Sequence, residues 1–416
     1  EKRHRKFPNL HAIAHCQAVG TTPIGGGCRK EEIDFDNSQS MRIAHIINHL
    51  GVSGVNQVVA DLVSVFNAHG HECVIYYLKA CDSPASYPCS VVSLGGSASL
   101  PEHFDVIHAH GIGPMLYVMR HRRALAKRNG SQGRPLFVTT LHCYCFQDLP
   151  SLYGWAKGGL MALAYLASTL WQDRVVCLSQ DMMRYYSRWI SRRKLRYVYN
   201  TRLLPSKQNE VFNPDDAALV DQLKSWHAQG HTVIGMNGVL IYRKGVDLML
   251  RALRLLNQEG RRFRLVLVGD GQDRGDFETL CQSLELNDEV LFAGHRKDAY
   301  RFLPYYDILA LPSHSEGFPL SLLEAAVYQK KVVVSELPIV KECFGYRNPG
   351  SSTGKVEVAA FKIDPDQDAT VLRLAEAIRN AMADDAISAR LRQRFDEDYS
   401  PEVFYQRYDR VYNENK

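Results

Sequence analysis

From Met41 onward, short apolar runs alternate with longer stretches whose apolar residues recur every three or four positions. MRIAHIIN (41–48) reads as a strand, and VNQVVADLVSVFNAHG (55–70) has helical spacing and stops at Gly70. ECVIYYL, SVVSLG, FDVIHAHG, PLFVTTLH, DRVVCLS and RYVYN are further strands. Apolar strands separated by helices predict a parallel sheet covered on both faces. TRLLPSKQNEVFNPDD (201–216) breaks the alternation and reads as a linker. The alternation then restarts with TVIGMNGVL, a helix over 244–258, FRLVLVGDG, a helix, EVLFAGH, a short helix, DILALPS, a helix from Pro319 and KVVVSEL. The predicted fold class is α/β. Two Rossmann-like, doubly wound domains, 41–205 and 206–399, face each other across a cleft, with ligands at the carboxyl ends of the strands. A last helix over about 400–416 is expected to pack back on the first domain. Residues 1–40 show no sustained period and read as an extension, non-native or disordered.

The chain has 416 residues, enough for two cores, because single cores stop growing at about 250–300 residues. Its 45% apolar and 23% charged residues suit a soluble globular protein. The net charge of +5 is unevenly spread. Residues 41–200 hold sixteen Lys/Arg against eight Asp/Glu, whereas 201–416 hold twenty-eight against thirty-two, so the first domain is expected to meet something anionic. Ten cysteines lack the C-x-x-C pairs of a structural zinc site and read as reduced thiols of a cytosolic protein. No apolar run reaches the roughly 18 residues that span a bilayer. The expected location is cytoplasmic, peripheral on the inner face of the cell membrane.

Two loops at the ligand edge carry the candidate chemistry. In SHSEGFPLSLLEA (313–325), Glu316 and Glu324 flank a turn, and Pro319 suits the first position of a helix whose N-terminus favours anions. Acceptor-only carboxylates beside backbone donors suit a ligand with hydroxyls and phosphates. In NGVLIYRKGVDLMLRAL (237–253), Arg243 and Lys244 precede Gly245 in a strand-to-helix loop, where two cations are placed to hold a diphosphate. A solvated basic loop and an acid serving only the helix dipole are the plainer alternatives. GDGQDRG (269–275) has Arg274 where a dinucleotide fingerprint needs glycine, which weakens a dehydrogenase reading.

GVLIYRKGVDLMLRAL, LVLVGDG, LPSHSEGFPLSLLEA and SPEVFYQRYDRVY, in that order, resemble the retaining glycosyltransferases of family 4, which have the GT-B fold and an E-x7-E motif and act in bacterial envelope polysaccharide and lipopolysaccharide assembly. By this resemblance Glu316 stands near the reacting sugar and Glu324 binds ribose hydroxyls. The backbone at Gly317, Phe318, Pro319 and Leu320 lines sugar and phosphates, Lys244 and Arg243 hold the diphosphate, and Gly269 lies on the donor side. Gly54, in SGVNQVV (53–59), brings its N–H toward the distal phosphate. His142, in TTLHCYC, stands near the acceptor hydroxyl, with Cys143 where the family usually has Asp. The family usually has Arg where this chain has Val239. The resemblance implies front-face displacement with retention, no metal and no cofactor beyond the nucleotide-sugar donor, UDP- or GDP-linked. The triplets Asp34-Phe-Asp36, Asp364-Pro-Asp366 and Asp396-Glu-Asp398 do not sit on ligand-edge loops.

Arg120, Arg122, Arg123, Lys127, Arg128 and Arg134 form one basic cluster, and Arg188, Arg192, Arg193, Lys194 and Arg196 another. Between them WAKGGLMALAYLASTLW (155–171) is apolar and flanked by tryptophans. These predict peripheral contact with an anionic membrane and a glycan or lipid-linked acceptor, with a buried core helix as the alternative. Nucleic acid is not expected, because stacking aromatics are not interleaved with the basic runs. The rival functions are a nucleotide-sugar epimerase-like enzyme and a non-catalytic membrane-associated binding protein.

Overall fold

A computed structural model describes residues 40–81, 84–95, 100, 103–127, 133–205, 211–260, 262–344 and 357–414. The extension before Ser40, the first Asp triplet and Arg128 lie outside the described residues.

The first sheet contains β1 (Arg42–His49), β2 (Glu72–Lys79), β3 (Ser90–Ser93), β4 (Val106–His110), β5 (Leu136–Leu141), β6 (Arg174–Cys177) and β7 (Leu195–Tyr197). Its order is β3-β2-β1-β4-β5-β6-β7, and all neighbours are parallel. The second contains β8 (Thr232–Asn237), β9 (Phe263–Val268), β10 (Val290–Gly294), β11 (Ile308–Leu311), β12 (Lys331–Ser335) and β13 (Ala359–Phe361). Its order is β10-β9-β8-β11-β12-β13, again all parallel. β13 was not anticipated from the sequence, since three residues are too few to show a period.

The near-continuous apolar strands are buried on both faces, as parallel strands must be: all five residues of β4 and all four of β11 are buried. The strand order changes its direction of progress across the sheet between β1 and β4 and between β8 and β11, which opens a crevice at the carboxyl ends of those strands. The loops that follow β1, β8 and β11 therefore carry Gly54, Arg243 with Lys244, and Glu316.

One hydrophobic cluster fills the second domain around Met249, Leu253 and Leu267. Another runs from Ala44 and Ile46 under the first sheet to Phe318, Leu322 and Tyr399, so the two domains share apolar packing. The helix Pro401–Asn413, capped by Ser400, leaves the second domain and lies on the first, where Phe404, Tyr408 and Tyr412 pack with Ile43, Val138 and Val176. Tyr405 bonds His71 at 2.9 Å, Tyr408 bonds Thr140 at 3.0 Å and Tyr412 bonds His108 at 2.8 Å. Buried hydroxyls with partners fix the helix in one register, since an unmatched one is costly.

Candidate active site

The loop after β11 and the loop after β8 are tied together. Lys244 ends a short 3₁₀ turn, Tyr242–Lys244, and Gly245 follows with a left-handed φ of 70°. A Cβ there would lie 2.0 Å from the Pro312 carbonyl oxygen, so only glycine lets the two loops meet. The His314 N–H donates to the Arg243 carbonyl at 2.8 Å, and Arg243 Nη1 donates to the Ser315 carbonyl at 2.6 Å. Lys244 Nζ then reaches Glu316 Oε1 at 2.5 Å, and Ser313 Oγ donates to the same oxygen at 2.7 Å. Burial pushes the Glu316 carboxyl up, but Lys244, Ser313 and Arg243 outweigh it and hold the group below its ordinary value. Glu316 is thus a fixed anion, able to accept hydroxyl hydrogen bonds and unsuited to donating a proton.

Glu324 sits in the helix Leu320–Val327. Pro319 is its cap and not its first residue, so the helix begins one residue later than the sequence suggested, because φ −76° and the extended ψ of 94° keep Pro319 out of the helical turn. Glu324 Oε1 accepts from Arg202 Nε at 3.0 Å, and Arg202 Nη1 donates to Asp61 Oδ2 at 2.7 Å. This acid–Arg–acid chain joins the helix Gly54–Ala68, the interdomain linker and the second domain. The Arg202 side chain is 1% exposed. Burial, only partly offset by Arg202, raises Asp61 to about 6 and also raises Glu324. Asp61 and Arg202 were missed from sequence. The signal for Asp61 was a lone acid inside the apolar run VVADLVSV.

His142 follows β5, and its carbonyl oxygen is the atom that meets Gly317 across the cleft: a Cβ on Gly317 would lie 2.4 Å from it. Gly317→Ala is therefore expected to push the loop off the first domain, costing about 1–3 kcal/mol and slowing turnover, as thermal melts and rates will read. Burial lowers His142 to about 4, so its ring is neutral, and Nε2 has no partner among the described residues. Its neighbour His110 contacts His45 at 3.1 Å through Nε2 and Nδ1. His45, His108 and His110 are the described residues able to gather around a metal, with one ligand atom each within 4.8 Å of the others. His108, however, spends both ring nitrogens on Tyr412 and Thr140, at 2.8 and 2.9 Å, so the trio stands as a polar network under the C-terminal helix.

The remaining predicted residues differ in what they offer. Gly54 opens the helix after β1, with Ser53 as cap and open space where a Cβ would stand. Phe318 is 7% exposed, and its ring packs near Tyr199 and Tyr399. Leu320 starts the Glu324 helix. Gly269 has φ 156°, and its Cβ would meet the Gly238 carbonyl at 1.7 Å, so chain packing alone requires glycine there. Val239 is exposed at the end of β8.

Comparison with known proteins decides the family. Residues 222–398 match the family described as glycosyl transferases group 1, and residues 96–201 match glycosyltransferase family 4, one match per sheet domain. The chain is a family 4-type glycosyltransferase with the GT-B fold. This glycosyltransferase is 28% identical over 320 residues to the O-antigen biosynthesis glycosyltransferase WclY of Escherichia coli, covering 73% of this chain and 82% of that one. It is 24% identical to the putative glycosyltransferase EpsF of Bacillus subtilis over 72% of this chain and 80% of that one. Among solved structures, Anabaena HepE in complex with UDP and glucose superposes with a TM-score of 0.65 at 15% identity, over 89% of this chain and 99% of that one. WaaG, a glycosyltransferase involved in lipopolysaccharide biosynthesis, gives 0.60 at 15% identity over the same shares.

The first domain's surface corrects one picture. Arg122 and Arg134 share Asp173, at 2.9 Å each, and Arg196 pairs with Glu414 at 2.5 Å, so the basic clusters are partly neutralised by acids distant in sequence. Arg188, Arg192 and Arg193 are exposed and carry no ion pair among the described residues. The helix Trp155–Ser168 buries only a small-residue stripe with Tyr165, while Trp155 is 87% and Leu160 70% exposed. No helix of the described residues is long and apolar enough to cross a membrane.

Proposed function

We propose that this glycosyltransferase moves a hexose from a nucleoside diphosphate sugar, UDP- or GDP-linked, to a glycan or lipid-linked glycan, with retention at the anomeric carbon. The observation that carries the reading is the Lys244–Glu316 pair, a cation and a fixed anion joined at 2.5 Å on the ligand edge, with Arg243 beside them. Lys244 and Arg243 hold the diphosphate, and the Gly54 N–H approaches its distal end from the first domain. Glu316 accepts hydrogen bonds from sugar hydroxyls, and Glu324, positioned by Arg202, does so from the ribose. The anomeric carbon–oxygen bond to the diphosphate breaks, the acceptor oxygen bonds the same face, and the acceptor's proton passes to the departing phosphate oxygen. Positioning and charge stabilisation then supply most of the acceleration. A neutral His142 suits orienting the acceptor hydroxyl. The names of WclY and WaaG support a place in envelope polysaccharide or lipopolysaccharide assembly.

Incubation with radiolabelled UDP-, GDP- and ADP-sugars tests this reading. Transfer with the donor's anomeric configuration kept in the product supports it; interconversion of sugars without transfer makes the protein an epimerase; no donor use with vesicle binding makes it a binding protein.

We further propose that the exposed face of the helix Trp155–Ser168, with Arg188, Arg192 and Arg193, rests on anionic lipid at the cytoplasmic side of the membrane. Leu160→Glu with Leu163→Glu is expected to weaken binding to phosphatidylglycerol vesicles by about ten-fold or more, given about 1.5–3 kcal/mol per buried leucine. Unchanged co-sedimentation would remove the helix from the interface.

A further inference from the structure

The loop that carries Glu316 is held from both domains. On its own side, Arg243 Nη1 donates to the Ser315 carbonyl at 2.6 Å and Lys244 Nζ meets Glu316 at 2.5 Å. The Ser315 hydroxyl turns the other way and donates across the cleft to Asp148 Oδ1 of the first domain at 3.1 Å. Asp148 lies in the helix Cys145–Tyr153, is 6% exposed, and spends its second oxygen on the Tyr144 N–H at 2.8 Å. A buried carboxylate is costly unless its oxygens are matched, and the Glu316 loop supplies one of the two matches. The one hydroxyl therefore satisfies the acid and fixes the residue that precedes Glu316.

The helix that presents Asp148 has little room to move. The Tyr186 hydroxyl donates to the Cys143 carbonyl at 2.6 Å and accepts from the Cys145 N–H at 3.1 Å. Gly158, in the helix Trp155–Ser168, runs so close to the Leu149 carbonyl that no side chain fits between them. Asp148 is thus a fixed reference point to which Ser315 must come.

The same contacts continue to a second crossing of the cleft. The Tyr144 hydroxyl donates to Asp181 Oδ2 at 2.8 Å. The N–H groups of Gln180 and Asp181 donate at 2.6 and 2.7 Å to the two carboxylate oxygens of Glu342, which also accepts from the Tyr199 hydroxyl at 2.8 Å. Glu342 belongs to the helix Pro338–Cys343 of the second domain, and its side chain is 11% exposed. Ser315, Asp148, Tyr144, Asp181 and Glu342 therefore form a chain of bonds that leaves the second domain at the loop after β11 and returns to it after β12. It runs through side chains distinct from those that would hold the diphosphate. Bonds to carboxylates are about twice as strong as neutral ones and keep to narrow distances, so this chain closes only when the two domains stand in one alignment.

We propose that Asp148 is a positioning residue for sugar transfer: together with Glu342 it admits one alignment of the two domains, and through Ser315 it sets Glu316 at the reacting sugar in that alignment. This role rests on the transferase reading above and adds to it the first-domain group on which Glu316 depends. Donor binding draws on Lys244 and Arg243 of the second domain, whereas transfer also draws on Asp148, so the two steps are separable.

The test compares the full chain with Ser315→Ala, Asp148→Asn, their double variant and Glu342→Gln. Three quantities are read: initial rates with radiolabelled UDP-, GDP- and ADP-sugars, calorimetric affinity for UDP, GDP and ADP, and hydrogen exchange across residues 313–319. Ser315→Ala removes only the hydroxyl and should lower kcat by about ten- to a hundred-fold, the cost of a small misplacement, with donor KM and diphosphate affinity unchanged. Asp148→Asn keeps an oxygen for the Tyr144 N–H and loses the one that Ser315 uses, so it should fall as far, and the double variant no further. Glu342→Gln lies outside the Ser315 contact, yet it should speed exchange across 313–319 by about two- to ten-fold, the worth of one hydrogen bond. Wild-type kcat in Ser315→Ala, multiplied losses in the double variant, or exchange of 313–319 untouched by Glu342→Gln would overturn the role. A chain that uses no nucleotide sugar, but whose 313–319 exchange answers to Ser315→Ala and Glu342→Gln, would instead sink the transferase reading and leave the cross-domain positioning standing.

Discussion

Glu316→Gln is expected to lower the rate of sugar transfer by about two to three orders of magnitude, the usual cost of losing one preorganised charge-stabilising group. The amide keeps the shape of the carboxyl and can still accept from Ser313, but it cannot neutralise Lys244, which it meets at 2.5 Å. Two effects then act together: the hydroxyl-accepting anion is gone, and an unpaired ammonium in a partly buried site pulls on the diphosphate in the ground state as well as in the transition state. Uniformly tighter donor binding does not raise turnover. The signature is therefore a fall in kcat with donor KM unchanged or lower, measured by initial rates at saturating acceptor. Lys244→Met should behave differently, raising donor KM and lowering kcat together. A Glu316→Gln enzyme with wild-type kcat would remove Glu316 from the chemistry.

Arg202→Met is expected to destabilise the protein by about 3–5 kcal/mol at pH 7.5, because it leaves Asp61 and Glu324 buried without their shared cation. The pH dependence has a definite sign. Burial raises Asp61 to about 6 and raises Glu324 even with Arg202 present. An acid whose folded pKa exceeds its unfolded one, near 3.9 for Asp, binds a proton in the folded state that the unfolded state lacks over the interval between them. Its contribution to stability is present at low pH and is lost as pH rises through about 6. Removing Arg202 raises both acids further, so the gap between variant and wild type should narrow from pH 7.5 to pH 5.5 in parallel denaturant melts. A gap that stays constant would mean that the acids are not charged partners of Arg202. Donor KM should rise in the variant too, since Glu324 loses the group that positions it.

Most of the fold was legible because its signals are local. β11 (ILAL) read as a strand from an unbroken apolar run and β4 (VIHAH) from a short run broken only by its histidines, and the reversal points of the two sheets fell at the loops holding Gly54, Lys244 and Glu316. The Glu316–Lys244 contact joins residues 72 positions apart, yet both lie on loops at the same edge, so the alternation of strand and helix already brought them near. Arg202 was not legible. It bonds Asp61 across 141 positions and Glu324 across 122, and it lies in a stretch that reads only as polar linker. The same blindness made the basic clusters look unopposed, because Asp173 is 51 residues from Arg122.

The most direct measurement is calorimetric titration of the chain and of its Lys244→Met variant with UDP, GDP and ADP. At least one of these diphosphates should bind the wild type, and Lys244→Met should weaken it by about ten-fold or more, the loss of one charge-assisted contact. Binding that is indifferent to Lys244, or no binding of any nucleoside diphosphate, would contradict the account.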